Sequence, residues 1–188
     1  MSDTLERIEV FQDTMNWISQ DPVLSASIVK AKKNTKVYYE DDYPFFDASR
    51  TCDTIIEVTK ERSFESAMRL SEEQTGSKIA VMNFANAFHA GGGACMNKAE
   101  LFGYHVKRAI HMLTCAAAEG ADILVLGAFG CGAFENDPAV VARAYKTALR
   151  EFPNVFKKIV FAIYCPPGRS TNYDLFKKNL AETEDESN

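Results

Sequence analysis

The sequence predicts a three-layer α/β/α sandwich built on a mostly parallel sheet. Three observations lead there. Short apolar runs rich in β-branched residues alternate with stretches whose apolar residues recur at helical spacing, the pattern of βαβ units with helices on both faces of a sheet. Two of those runs, Ile79 to Phe84 and Ile123 to Leu126, lead into glycine-rich loops, NFANAFHAGGG and GAFGCG. The 188 residues, with no linker, repeat or low-complexity segment among them, have the size of one domain. Residues 1–188 therefore read as a single unit with an acidic tail from about 182.

Leu5, Ile8, Phe11, Met15 and Ile18 predict an amphipathic first helix, with Trp17 packed in the core. Asp21-Pro22 ends it, because proline disfavours helix in the residue before it. Residues 30–50 are charged and aromatic. Val37 to Tyr39 is expected as a short edge strand and DDYPFFDAS as a surface loop. Phe45 and Phe46 are expected as buried anchors, an aromatic lid over a ligand being the alternative. Asp53 to Thr59 is the first strand by its β-branching, and Ser63 is expected to cap a helix that carries Phe64, Ala67, Met68 and Leu70 and ends near Gly76. Lys78 to Phe84 is a strand, Leu101 to Ala118 a helix stopped by Gly120, and the run from Asp122 the next strand. Asp137 caps a helix opened by Pro138, with Val141, Ala144, Tyr145, Ala148 and Leu149 facing inward. Lys158 to Tyr164 is the last strand, CPPGRSTN a loop, and Asn172 to Leu180 a closing helix.

Composition narrows the function classes. A net charge of −5 carries no footprint for duplex nucleic acid, so an anionic ligand would be held by local backbone geometry. The five cysteines are odd in number and scattered, which argues against a disulfide framework or structural zinc and for a reducing, cytoplasmic setting. MSDTLERIEV is not the basic-then-apolar pattern of a leader, and no apolar run has the length of a membrane span, so no membrane partner is expected.

The chemistry is expected in the loops. A glycine-rich turn between a strand and a helix lets backbone N–H groups of the loop and of the helix's first turn converge on an anion, and a phosphate or pyrophosphate is the natural occupant. Two strands of one sheet ending this way build a crevice at their carboxyl ends, where open α/β sheets bind nucleotides. The usual signatures are missing: no GKS or GKT follows, GAFGCG does not have the GxGxxG order, and there is no GxSxG elbow. His89, His105 and His111 are too dispersed for a metal centre; His105 and His111 read as surface or packing residues, and His89 lies in the first glycine loop. Neither a metal nor a cofactor is expected. Cys131 sits near a helix N-terminus, which would lower its pKa; the alternative is a small residue tolerated in a tight loop.

NFANAFHAGGG after one strand and LVLGAFGCGAFEND after another together resemble the microbial-type poly(ADP-ribose) glycohydrolase (PARG) family, whose catalytic domain is a macrodomain. RIEVFQDTMNWI, IIEVTKERSFESAMRL and STNYDLF are similar to that family's pattern in the same order, so the resemblance covers the chain from Arg7 to about Leu180. It implies a macrodomain-like fold, shortened relative to the family, and ADP-ribose or poly(ADP-ribose) on modified proteins as partner of a monomer. It implies that Gly127, Phe129, Gly130, Cys131, Gly132 and Ala133 wrap the diphosphate and that Phe134 packs on the terminal ribose. Asn83 and Asn86 would meet that ribose, and Gly91, Gly92 and Gly93 would form the catalytic loop. Asn172, Tyr173 and Phe176 would lie at the adenine end.

One departure divides the functional readings. The family pattern places a Gln-Glu-Glu motif after the triple glycine, and here only ACMNKAE separates Gly93 from Leu101. Glu100 is the carboxylate nearby, either recruited as the catalytic acid or complementing the dipole of the following helix. The chain is thus a glycohydrolase acting on poly(ADP-ribose), or an inactive reader or scaffold on the same fold.

Overall fold

The computed structural model describes residues 2–49, 52–84, 98–132 and 134–181. The acidic tail, His89, Asn86, Gly91, Gly92, Gly93 and Ala133 lie outside them. The chain divides into two compact units, 1–41 and 42–188.

The first unit holds α1 (Ser2–Gln20) and α2 (Pro22–Lys33). Asp21 does end α1, but Asp21-Pro22 also starts the next helix: the Asp21 carboxylate accepts from Val23 N–H (2.8 Å) and Leu24 N–H (3.1 Å), with Pro22 at the first position. Trp17, expected in the core, is 66 % exposed. Val37 to Tyr39 is irregular rather than a strand.

The second unit is the sandwich. Its elements in order are β1 (Ile55–Thr59), α3 (Ser63–Glu73), β2 (Ile79–Val81), α4 (Lys98–Ala118), β3 (Ile123–Leu126), α5 (Pro138–Leu149), β4 (Lys158–Ala162) and α6 (Thr171–Ala181). The strands form one parallel four-stranded sheet in the order β1-β4-β3-β2. Because successive strand residues point to opposite faces, β3 and β4 feed two cores. Leu124, Leu126, Ile159 and Phe161 pack with Leu113 of α4, Tyr145 of α5 and Phe176 of α6. Ile123, Val125, Val160 and Ala162 pack with Leu70 of α3. Three helices therefore cover one face and α3 covers the other.

Local chemistry sets the element ends. Ser63, expected as a cap, is the first residue of α3; Arg62 precedes it, and the Glu65 carboxylate accepts from the Arg62 N–H at 3.0 Å. Asp122 ties the amino ends of three strands together: its carboxylate accepts from Lys78 N–H and its carbonyl from Lys157 N–H, each at 2.8 Å. β2 is shorter than the expected strand, although Met82 N–H still donates to Val125 C=O at 2.8 Å before the chain turns away. Of the two aromatic anchors, Phe46 stacks on Phe152 with ring centroids 5.5 Å apart, whereas Phe45 is 91 % exposed.

The order β1-β4-β3-β2 has a functional consequence. Leaving β1, the chain goes to α3 on one face; leaving the adjacent β4, it goes to α6 on the other. Neighbouring strands whose connections diverge open a crevice at their carboxyl ends.

Candidate ligand cleft at the carboxyl ends of the strands

A cleft of about 360 Å³ lies there, lined by Arg62 and Ser63 after β1, Ala162 to Tyr164 at the end of β4, Phe84 after β2, Ala128 and Gly132 after β3, and Asn172 of α6. That volume is at the lower end for small-molecule sites.

The loop after β3 is held from within. Phe129 N–H donates to Gly127 C=O (2.8 Å), Cys131 N–H to Ala128 C=O (3.2 Å), Glu135 N–H to Gly132 C=O (3.0 Å) and Asn136 N–H to Gly130 C=O (3.1 Å). Its three glycines answer three different demands. Gly127 is buried where a Cβ would meet Phe84 Cζ at 2.8 Å and the Ala162 carbonyl oxygen at 2.9 Å, so it lets two strand ends approach. Gly130 has φ +74°, and a Cβ there would overlap the Asn136 side-chain amide. Gly132 faces the cleft with no atom within 4 Å of a built Cβ.

Between them the loop turns Cys131 inward. The thiol is 9 % exposed, belongs to the three-helix core, and is pushed up to about 12 by burial and then by the Asp137 charge. A lowered thiol pKa, one of the two readings of this residue, is thus corrected: desolvation outweighs the nearby helix terminus, and Cys131 is an anchor. The α5 terminus is itself occupied, since Asp137 accepts from Ala139 N–H at 2.9 Å.

Two further elements brace the loop. On α4, His105 is 5 % exposed; its Nε2 lies 3.3 Å from Asn136 Nδ2 and its ring is edge-on to Phe129. Burial, then the Arg108 charge, lowers its pKa, so it is held as a neutral acceptor for the Asn136 amide. On α6, Asn172 Nδ2 donates to Cys131 C=O at 3.4 Å.

The structure thus brings Gly127, Gly130, Cys131, Gly132 and Asn172 together around one loop, and Phe134 beyond it is 39 % exposed. Asn83 is exposed just after β2. Glu100 is the third residue of α4, and only its backbone is described. Phe176 is not a surface for adenine: it is fully buried, with Phe161 and Tyr145 rings 5.8 and 6.5 Å away. Arg62 and Tyr164 were not anticipated, and the guanidinium carbon of one lies 4.6 Å from the ring centroid of the other at the cleft wall. Their position at the carboxyl ends of β1 and β4 is the signal that would have found them. Among the described residues no group of three or more His, Cys, Asp or Glu is placed to hold a metal ion, and no helix is long and apolar enough to cross a membrane.

Comparison with known proteins adds the family. PARG from Deinococcus radiodurans in complex with ADP-ribose is 21 % identical, with 71 % of this chain and 87 % of that chain covered at a TM-score of 0.59. The apo form of that protein is 22 % identical, with 70 % and 84 % covered and a TM-score of 0.57. PARG from Thermomonospora curvata bound to the inhibitor ADP-HPD is 22 % identical, with 66 % and 78 % covered and a TM-score of 0.58. At this identity the likeness is one of fold. No curated protein matches the sequence. The sequence pattern of the microbial-type PARG catalytic domain, however, matches residues 6–99. Since that match runs from α1 into the first turn of α4 and takes in half of the 188 residues, the chain belongs to the microbial-type PARG catalytic-domain family.

Proposed function

We propose that this protein binds ADP-ribose in the cleft between β1, β4 and β3, and through it recognises or hydrolyses poly(ADP-ribose) on modified proteins. The observation that carries the reading is the glycine loop after β3 lining a crevice at a topological switch point, in a chain of this family. With the N–H groups of Phe129 and Cys131 engaged by the loop, those at positions 128, 130 and 132 would meet the diphosphate. Phe134 and Asn83 would contact the terminal ribose, with Asn86, Gly91, Gly92, Gly93 and Ala133 completing the site. Arg62 supplies the cation of the cleft lining.

Hydrolysis needs a carboxylic acid that protonates the leaving oxygen while water attacks an oxocarbenium-like anomeric carbon. Glu100, in the first turn of α4 and seven residues after Gly93, is the group assigned that role. The missing Gln-Glu-Glu motif favours a second reading, a reader without hydrolysis. Calorimetric titration with ADP-ribose tests binding, and silence at high micromolar ligand sinks both readings. Release of ADP-ribose from modified protein, abolished by Glu100→Gln, would establish the hydrolase; binding without release would establish the reader.

A further inference from the structure

The helical unit 1–41 has no core of its own: among its described residues, 8–41, no side chain is buried. Helices of 19 and 12 residues are marginal alone in water, and units of about 40 residues usually need a disulfide, a metal or a partner to persist. The turn between them is nevertheless well made. Asp21 caps α2, and Ser25 Oγ donates to Ile18 C=O at 2.7 Å. A fixed turn therefore holds two helices side by side with their apolar residues uncovered.

The spacing of those residues fits a helical partner. Ile8, Phe11, Met15 and Ile18 follow one another at intervals of three, four and three along α1, and Leu24, Ile28 and Ala31 at four and three along α2. Intervals that average about 3.5 residues make the seam of helix packed on helix. Ile8, Phe11 and Met15 are about half exposed or more, so the seam is open. Charge is divided between the two helices. α1 carries Asp3, Glu6, Glu9 and Asp13 against Arg7, whereas α2 carries Lys30, Lys32 and Lys33 and no acid. A face made of one acidic and one basic helix is complementary to itself about a twofold axis, since each α1 then lies between its own α2 and that of a second copy.

We propose that the α1–α2 hairpins of two copies pack seam to seam into a four-helix bundle, making the protein a homodimer rather than the monomer that the family resemblance implies. The seam offers about 400 Å² of apolar surface, and with apolar atoms forming about 65 % of a homodimer interface each copy buries about 600 Å². The total of about 1,200 Å² is at the lower end for specific pairs, so the dimer should dissociate in the micromolar range. Pairing at this face does not depend on what the cleft binds.

Sedimentation velocity of the full chain from about 0.5 to about 100 μM should show the mass rising from that of one chain to that of two. Phe11→Gln/Met15→Gln should weaken association at least about tenfold, whereas Trp17→Gln, at an equally exposed position on the other side of α1, should leave it unchanged. Wild type should also lose helical circular dichroism on dilution through the same range, a readout that needs no substitution. A monomer at every concentration whose α1 amides resist hydrogen exchange overturns the bundle in favour of cover from within one chain. A monomer whose α1 amides exchange freely overturns it in favour of a different helical protein. A dimer that survives the seam substitutions, or that Trp17→Gln weakens as much, overturns it by placing the interface elsewhere, as does helical signal that holds constant while the dimer dissociates.

Discussion

A methyl group added at Gly130 and one added at Gly132 should do opposite things, although the two positions are in one loop. At Gly130 the backbone has φ +74°, where an L residue costs about 1–2 kcal/mol. The new Cβ also overlaps the Asn136 amide, which must turn and give up its bond to His105 Nε2, worth about 0.5–1.5 kcal/mol. Gly130→Ala should therefore destabilise the fold by about 2–3 kcal/mol, or about 5–10 °C in Tm for a domain of this size. At Gly132 a Cβ meets nothing within 4 Å and φ is not positive, so stability should hold or rise slightly. Its methyl group instead enters the cleft, and ADP-ribose affinity should fall by about tenfold, about 1.4 kcal/mol. Urea denaturation followed by circular dichroism reads the first effect and calorimetric titration the second. A Gly130→Ala protein within about 0.5 kcal/mol of wild type, or a Gly132→Ala protein that loses stability and keeps its affinity, would refute the division of labour.

His105 is held neutral with its pKa lowered from 6.5, so between that depressed value and 6.5 the unfolded chain binds a proton that the folded one refuses. Stability should be fully present above pH 6.5 and fall as pH drops below it; urea midpoints at pH 7.5 and 5.5 check this, and His105→Gln should flatten the difference. Phe176→Leu should cost about 1–1.5 kcal/mol in denaturant with unchanged ADP-ribose affinity, because the ring fills the core against Phe161 and Tyr145. A tenfold loss of affinity at wild-type Tm would instead place that ring against the ligand.

The sandwich was legible because its signals are local: β-branched runs, helical stripes, and Asp137-Pro138 at a helix start. Asp21-Pro22 carries the same start signal, and there the proline's stop signal for α1 masks the start of α2. Half of the cleft was legible for the same reason, since glycines mark the loop after β3. Its other wall was not: Arg62 and Tyr164 meet through the pairing of β1 with β4, and no periodicity encodes which strands become neighbours. Cys131 shows two rules in competition. Proximity to a helix terminus is visible in sequence, while the burial that overrides it depends on packing by α4 and α5. Phe176 lies four residues before Leu180, and that spacing marks the inward face of α6; its place in the STNYDLF string drew it toward the ligand instead.

The β1–β4 seam also governs when the site can come into being. Ile55 is paired with Lys158, and β2, β3 and their helices all lie between those two residues along the chain. Contacts of such long sequence separation close late, because the entropy of the intervening loop is lost before any pairing repays it. During synthesis β1 leaves the ribosome first and waits as an unpaired edge until β4 follows. The cleft is therefore a readout of completed folding: the chain can bind at this seam only after its early and late halves have found each other.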